Sequence, residues 1–447
     1  MNRRDFLVQT GLAASALSFG QSLMAKAAHA AGETDHYFIF CYFEGGWDQL
    51  LGLDPRDPAV FNESNMQQTG IQPAYGALPP QFSRAPINAG PFELGPCTGE
   101  LAALADYFSV VRGLNMATLT HEVGRRFLIT GRPPSGLTAH GSSVATIATA
   151  QIGQDRAVPH LAHGVESYNA DQPPFAGAMP VAAVDQMRYI LQEDLGIPTE
   201  IPPNVKGALG DYWKKTRECL PEHGASVSRL AAIYRDNRKR AREVVNSALH
   251  REFEFNSPEM AAVRGHYGFA EGQTETPYGR AALAAQALKA GLSRTVSVVL
   301  SQGLDTHDNS WAGQHSVNLE MGFTALARLI TDLRDSEAPG GGSFLSKTTI
   351  FAFSEFARSP RLNVRNGRDH HLGSSALLAG AGVKPGVVVG KSSDNAMGPD
   401  LVDIATGRPD EDGDSLLPQH LLSTVLAAAG MDATILRSQP IPVLLDG

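Results

Sequence analysis

The chain has 447 residues, of which 19% are charged and 43% hydrophobic, and its formal net charge is −9 at pH 7. This composition excludes intrinsic disorder, which needs high charge and few apolar residues, and it disfavours nucleic-acid binding, which needs clustered Lys and Arg. The 3 cysteines are too few for a four-thiolate iron–sulfur cluster or a disulfide scaffold. A chain of this length folds without a structural metal, so we expect any metal site to be functional.

The first thirty residues have the features of an export signal. Arg3 and Arg4 precede a weakly apolar, small-residue run over 10–24. The segment ends in Ala28-His29-Ala30, with small residues at the two positions that a signal peptidase recognises. This order resembles a twin-arginine signal peptide over residues 1–30, which predicts a periplasmic or secreted protein with the twin-arginine export machinery as a partner. The alternative is an N-terminal helix of the fold. No other stretch reaches the roughly 18 apolar residues of a membrane span.

Buried strands and helices alternate along residues 31–447, which predicts a single α/β domain. Because the strands are apolar on both faces and are separated by helices, we expect a mostly parallel sheet with helices on both sides, a three-layer sandwich. A charged segment at about 205–256 has apolar residues at helical spacing and predicts a helical insertion, with a small separate domain as the alternative. The predicted strands are 36–43, 108–112, 295–300, 348–353 and a short one within 386–390; the predicted helices are 138–150, 277–290, 319–333 and 418–430; residues 54–97 predict a long surface excursion.

Acids and histidines directly follow three of the predicted strands. Because the carboxyl ends of parallel strands meet at one edge of a sheet, we expect these side chains to converge there. Mixed imidazole and carboxylate ligation suits zinc, manganese or iron, whereas ligation by oxygen alone suits Mg²⁺ or Ca²⁺. We therefore predict a divalent metal site, with zinc first and manganese, magnesium or calcium as alternatives. The residues are Glu44 and Asp48 after 36–43, Asp305 and His307 after 295–300, Glu355 after 348–353, and Asp369, His370 and His371 shortly afterwards.

Four of these residues also have a structural interpretation. Asp305 is a possible N-cap of the next helix, Glu355 a possible salt-bridge partner of Arg358 at a helix start, and the adjacent histidines 370 and 371 possible solvated residues of a loop. Asp305 and His307 are the stronger pair, because residues i and i+2 of an extended segment point to the same side. The coincidence of all these segments at strand ends favours the metal site.

A second polar group follows the strand at 108–112. Thr120 and His121 stand at a predicted helix start, where a hydroxyl or imidazole can act as a nucleophile or contact an oxyanion. Arg125 or Arg126 can bind a phosphate or carboxylate through a planar fork. We name Thr120, His121 and Arg125 as candidate catalytic residues; the alternative is an ordinary helix start with Thr120 as N-cap. Lone histidines are expected to be structural or solvated, namely His140, His160, His163 and His315.

Several motifs together resemble the bacterial "domain of unknown function 1501" family. Behind the arginine-containing leader come FEGGWD, the THE segment, GLDTHDN, FSEFARSPRLN and NGRDHHLG, in that family's order and over nearly the whole chain. The family is similar to the alkaline phosphatase/sulfatase superfamily, so the resemblance implies an alkaline phosphatase-like fold with a metal site at the strand ends. By position it implies ligands at Asp48 or Glu44, Asp305, His307, Asp369 and His370, whereas Glu355 stands where the superfamily has an Asp-His pair and His371 where the family usually has Gly.

These observations predict an exported metal-dependent hydrolase of a phosphate ester, acting on a small molecule or a glycan. The metal would activate Thr120 or a water for attack on the ester. A sulfate ester is the lesser choice, because Cys97 lies in PCTGE, which does not fit the C/S-x-P-x-R segment of formylglycine sulfatases. The alternative is a non-catalytic exported envelope or polysaccharide-binding protein that keeps the fold. A redox enzyme ranks third, since no dinucleotide glycine fingerprint follows a strand.

Overall fold

The structure, a computed structural model, describes residues 35–192 and 248–446, together with residues 204, 205, 207, 208, 211 and 212. The signal peptide predicted for residues 1–30 and most of the insertion predicted at about 205–256 lie outside these residues, and both stay predictions. At the far end of that insertion, Leu249–Phe253 forms a short 3-10 helix. In the part of the chain that is described, no helix combines the length and apolar character needed to cross a membrane.

An 8-stranded sheet forms the centre of the fold. The strands are β1 (Tyr37–Phe43), β2 (Phe108–Asn115), β3 (His160–His163), β4 (Met179–Val181), β5 (Thr295–Ser301), β6 (Thr348–Phe353), β7 (Gly373–Gly380) and β8 (Val388–Val389). Their spatial order is β8-β2-β7-β6-β1-β5-β3-β4. All neighbouring strands are parallel except β7, which runs antiparallel to both β2 and β6. The α/β class and the mostly parallel sheet predicted from the sequence are therefore confirmed.

Helices pack on both faces of this sheet, and each face has its own apolar core. The helices are α1 (Met66–Thr69), α2 (His121–Thr130), α3 (Val144–Ile152), α4 (Gln186–Leu191), α5 (Ala261–Tyr267), α6 (Pro277–Lys289), α7 (Ser316–Asp335) and α8 (Pro418–Ala428). Alternate residues of β1 enter the two cores: Phe38 and Phe40 lie with α2, α3 and α8, whereas Ile39 and Phe43 lie with α6 and α7. Since every residue of β1 is buried, the strand is apolar throughout instead of alternating.

Two differences from the predicted elements concern the half of the sheet that contains β2. β2 continues to Asn115, beyond the predicted end at 112, because Gly113 adopts a φ of 68° and the pairing with β7 continues to Gly373. β7 itself is not among the predicted strands. Its sequence, GSSALLAG, contains Ala and Leu, which favour helices, so the strand is formed by its two neighbours rather than by local propensity.

Short two- and three-stranded ribbons extend the fold outside the central sheet. One of them pairs Ala357–Arg358 with His370–His371 in antiparallel register, with His370 opposite Arg358. The others pair Ile87–Asn88 with Glu93–Leu94, and Leu401–Asp403 with Arg408–Pro409 and Asp414–Ser415. The predicted excursion at 54–97 is confirmed as mostly irregular chain, with α1 and the Ile87–Leu94 ribbon within it.

Candidate functional site

The segments predicted to bear functional residues meet at one edge of the sheet. β1, β2, β5 and β6 share one direction, so the loops after them leave from the same edge. β7 runs the other way, so its amino end lies at that edge too and brings His370 to it. The ribbon between Ala357–Arg358 and His370–His371 holds the two arriving segments side by side.

Side chains from three of these segments form a compact group. His121 begins α2, Asp305 follows β5 and His370 precedes β7, and one ligand atom of each lies within 4.8 Å of the others. Asp305 Oδ1 is 3.4 Å from His121 Nε2 and 3.4 Å from His370 Nε2. The Nε2 atom of His121 is buried and has no hydrogen-bond partner among the residues that the structure describes. His307 completes the group, with its Nε2 2.9 Å from Asp305 Oδ1 and 3.0 Å from His370 Nε2; we call these four residues the His–Asp cluster.

The three imidazoles of the His–Asp cluster are oriented in the same way. In each, Nδ1 faces an oxygen that only accepts, so Nδ1 carries a hydrogen, and in the neutral ring Nε2 then presents a lone pair to the cluster. Histidines that ligate metals have this arrangement, with a carboxylate or carbonyl behind the ring. The pairs are His121 Nδ1 with Glu355 Oε1 at 2.7 Å, His307 Nδ1 with Asp369 Oδ1 at 2.7 Å, and His370 Nδ1 with the Leu119 carbonyl at 2.6 Å.

Glu355 orients His121 from a fully buried position, with 1% of its surface exposed. Its carboxylate also accepts hydrogen bonds from the Gly45 N–H at 2.9 Å and the Ser354 hydroxyl at 3.0 Å. Burial alone would raise the pKa of Glu355, but the hydrogen bond and charge of His121 outweigh it and lower the pKa. Conversely, Glu355 raises the pKa of His121 against the effect of its burial. The pair therefore keeps an anionic carboxylate behind the imidazole.

Arg358 lies beneath the His–Asp cluster and is fully buried. Its guanidinium donates to Asp305 Oδ1 at 2.6 Å, to His307 Nε2 at 3.2 Å and to the Gly46 carbonyl at 3.1 Å. Burial would raise the pKa of Asp305, but Arg358, together with His121 and His307, lowers it to about 2. The sequence alternative of an Arg358–Glu355 salt bridge at a helix start is wrong, because this segment is a short strand and Arg358 bonds Asp305 instead.

Two glycines let the loops approach closely enough to form this site. Gly45 has a φ of +110°, and a Cβ there would lie 2.6 Å from the Asp305 backbone nitrogen. At Gly367, a Cβ would lie 2.1 Å from the His307 carbonyl carbon. Both contacts are too short for any side chain. Gly45 of FEGGWD and Gly367 of NGRDHHLG therefore allow their segments to pack against the backbone of the loop that carries Asp305 and His307.

Asp48 and His371 lie outside the His–Asp cluster. Asp48 is buried, and its Oδ2 lies 2.8 Å from both Arg368 Nε and Trp311 Nε1. Its carboxylate therefore forms a buried ion pair with Arg368. His371 Nε2 lies 3.0 Å from the Ala396 carbonyl, while its Nδ1 accepts from the Gly373 N–H. The structure thus brings Asp305, His307 and His370 together with His121 and places Glu355 and Asp369 behind the imidazoles, whereas Asp48 is separate.

The remaining predicted catalytic residues flank His121 on α2. Thr120 is exposed and is the N-cap residue of α2, but within the described part of the chain its side chain makes no capping hydrogen bond. Arg125 binds the Glu166 carboxylate, and Arg126 Nε lies 3.4 Å from the same carboxylate. The structure therefore gives Thr120 an exposed position directly before His121 in the chain and places both arginines on Glu166. Arg358 is the site residue that sequence reasoning missed, although it lies within the FSEFARSPRLN motif.

Comparison with known proteins identifies a family but no activity. No curated protein matches the chain. Among solved structures, one that is similar is the crystal structure of Ps i-CgsB in complex with k-i-k-neocarrahexaose, at 10% identity and a TM-score of 0.33, over 92% of this chain and 75% of that chain; so distant a likeness carries no argument. The profile of the family described as "Protein of unknown function (DUF1501)" matches residues 35–437, which include the whole His–Asp cluster. The chain therefore belongs to the DUF1501 family.

Proposed function

We propose that this protein is an exported, metal-dependent hydrolase of a phosphate ester, with the metal held by His121, Asp305 and His370 and with His307 beside them. The observation that carries the proposal is the common orientation of three imidazoles, each with Nδ1 bonded to an acceptor and Nε2 directed to Asp305 Oδ1. The buried, unpartnered Nε2 of His121 supports it, because a buried polar atom without a partner is unfavourable unless a ligand satisfies it.

The donor set supports zinc as the metal. Imidazole nitrogens with one carboxylate oxygen are the ligands that Zn²⁺ takes in catalytic sites, which keep an open position for substrate or water. Manganese remains an alternative with the same ligands, whereas Mg²⁺ and Ca²⁺ prefer oxygen ligands. Half of the Asp305 side chain, 50%, is exposed, so the open position faces solvent.

In the proposed reaction, the metal and the protein side chains have different roles. A bound divalent metal polarises an ester oxygen and lowers the pKa of a coordinated water or hydroxyl. Glu355 and Asp369 orient the imidazoles, and Thr120, exposed beside His121, is the candidate protein nucleophile, with water as the alternative. Since Glu166 binds Arg125 and Arg126, neither guanidinium has a role in binding the ester anion in this proposal.

The proposed relationship to alkaline phosphatases concerns architecture and the position of the site. A parallel sheet between helical layers, with the His–Asp cluster beyond the carboxyl ends of its strands, is the arrangement that the family resemblance implies. The twin-arginine leader supports export into the periplasm or the medium, and the ester is a small molecule or part of a glycan.

The proposal is tested on protein recovered after expression of the full chain in a twin-arginine-competent bacterium. Recovery from the periplasm or medium, zinc by elemental analysis, and metal-stimulated hydrolysis of 4-nitrophenyl phosphate or its diester are the expected results, with 4-nitrophenyl sulfate a poorer substrate. Asp305→Asn and His370→Ala should each lower zinc content and turnover at least tenfold. Asp308→Asn, at an exposed acid of the same loop, is the matched control and should keep both.

Three results contradict parts of this proposal separately. Cytoplasmic retention contradicts export, and protein that holds no metal and shows no metal-stimulated turnover contradicts the enzyme. Stoichiometric metal without turnover of any of these esters supports the alternative, a binding protein of the envelope or of polysaccharides. In that case, His370→Ala should abolish glycan or envelope binding.

A further inference from the structure

We infer that the site holds a single divalent metal ion per chain, because the guanidinium of Arg358 already occupies the place of a second cation. This inference rests on the metal site proposed above and concerns its stoichiometry. It also assigns Arg358 as a positioning residue for Asp305 and His307.

The donors in the cluster divide into two groups that share Asp305. His121 Nε2, Asp305 Oδ1 and His370 Nε2 form the group assigned to the metal. Asp305 Oδ1 and His307 Nε2, 2.9 Å apart, form the other, while Asp369 lies behind the His307 ring on Nδ1. A second metal ion would need this other group, but Arg358 donates to both Asp305 Oδ1 and His307 Nε2. Both donors of this group therefore already bind a cation, the guanidinium of Arg358.

Arg358 is held where it cannot withdraw from the cluster. Its side chain is 0% exposed, and besides Asp305 and His307 it donates to the carbonyls of Gly45, Gly46 and Arg368. Its backbone N–H donates to the Trp47 carbonyl at 3.1 Å, and the ribbon register fixes it opposite His370. An Arg guanidinium also does not lose its proton in a protein. The positive charge is therefore permanent and fixed.

The charges of the cluster, of the two carboxylates behind its imidazoles and of Arg358 balance with one divalent ion. Asp305, Glu355 and Asp369 supply three negative charges, and Arg358 supplies one positive charge. One divalent ion brings the sum to zero with the three imidazoles neutral, whereas a second would leave two uncompensated positive charges beside a buried guanidinium. The adjacent Asp48–Arg368 pair is neutral in itself, and Arg365 is exposed and screened by solvent. Repulsion at low effective dielectric thus opposes the second ion.

The test measures zinc bound by the full chain after removal of metal with a chelator, using equilibrium dialysis and elemental analysis. The expected result is one zinc per wild-type chain at saturation. Arg358→Gln removes the charge and keeps a donor for the Gly45 and Gly46 carbonyls, and we expect it to bind a second zinc. Arg358→Lys keeps the charge and is the matched control, which should stay at one. A folded Arg358→Gln variant that also stays at one overturns the inference.

The wild-type chain keeps the inference testable if Arg358→Gln does not fold. Loaded with Mn²⁺, a single-ion site gives the six-line electron paramagnetic resonance spectrum of an isolated ion, which is the expected result. An exchange-coupled spectrum, or two zinc ions per wild-type chain, overturns the inference and leaves the proposed hydrolase intact. Wild-type protein that binds no zinc overturns the metal site and the inference together.

Discussion

Glu355 acts on the site from a buried position behind the His121 imidazole, on the side away from Asp305. The hydrogen bond between His121 Nδ1 and Glu355 Oε1, at 2.7 Å, fixes the tautomer that presents Nε2 to Asp305. The same carboxylate holds the Gly45 N–H, so it links the loop after β1 to the start of α2. Outer partners of this kind usually change metal affinity without contacting the ion.

Replacing Glu355 with Gln should weaken zinc binding about 10- to 100-fold, because the amide oxygen still accepts from Nδ1 but no longer makes the imidazole more basic. The measurement is zinc affinity by competition with a chromophoric chelator. Glu166→Gln is the matched control, since Glu166 binds Arg125 rather than a histidine of the cluster, and its zinc affinity should equal that of the wild type. Unchanged affinity in Glu355→Gln would show that Glu355 does not support the site.

At the scale of elements, the loop that follows β1 approaches the loop that follows β5 backbone to backbone. Gly45 and Gly90 both have strongly positive φ values, +110° and +92°, but only at Gly45 would a Cβ meet another chain segment. Backbone strain is therefore common to the two positions, whereas the contact with the Asp305 loop is particular to Gly45. Comparing substitutions at these two glycines therefore separates the effect of backbone strain from the effect of the contact with the Asp305 loop.

Gly45→Ala should displace Asp305 and lower zinc affinity by at least tenfold, whereas Gly90→Ala should leave it unchanged. Both substitutions should destabilise the protein by about 1 kcal/mol or more through the left-handed backbone. Chelator competition measures affinity, and urea denaturation measures the free energy of unfolding. Equal loss of zinc affinity in the two variants would refute the close approach of the loops.

The elements also show what the sequence could and could not predict. Apolar strands ending in acids or histidines predicted the parallel sheet and led to Asp305, His307, Glu355 and His370, because this pattern is local. The antiparallel direction of β7 and the contacts of Arg358 depend on neighbours far away in the chain. Asp48 has the same local pattern as Asp305, but Trp311, 263 residues away, and Arg368 enclose its carboxylate. Tertiary packing, which the pattern does not contain, separates the two aspartates.

At the scale of the whole molecule, the buried histidines 160 and 315 and the half-buried His36 make the fold sensitive to acid. Burial lowers the pKa of His36 to about 4, of His160 to about 3 and of His315 to about 4. His315 Nε2 accepts from the Asp48 N–H at 3.1 Å, and its Nδ1 lies 3.0 Å from the Leu304 carbonyl. The neutral ring therefore joins the loops after β1 and β5, and a proton on Nε2 would break the first of these bonds.

Stability should fall as pH decreases from about 6.5 to 4. In this window the unfolded chain binds protons on these histidines and the native protein does not, so the free energy of unfolding rises with pH, by about 1.4 kcal/mol per pH unit for each histidine. Urea denaturation across the window measures the slope. His315→Gln should reduce the slope by about one histidine's contribution, and His266→Gln, at an exposed position, should not. A flat profile for the wild type would contradict the buried neutral state.

The position of β1 at the centre of the sheet has a consequence for biosynthesis. β1 is made first, but both of its neighbours, β5 and β6, come far later; Glu44, next to β1, and its partner Gln302 are 258 residues apart. At 5–20 residues per second, about 250 residues take on the order of 10 to 50 s to translate. Throughout that time an aromatic strand with two unpaired edges is outside the ribosome, where it can pair with other chains. Chaperone depletion should therefore cause this chain to aggregate before its cluster can assemble.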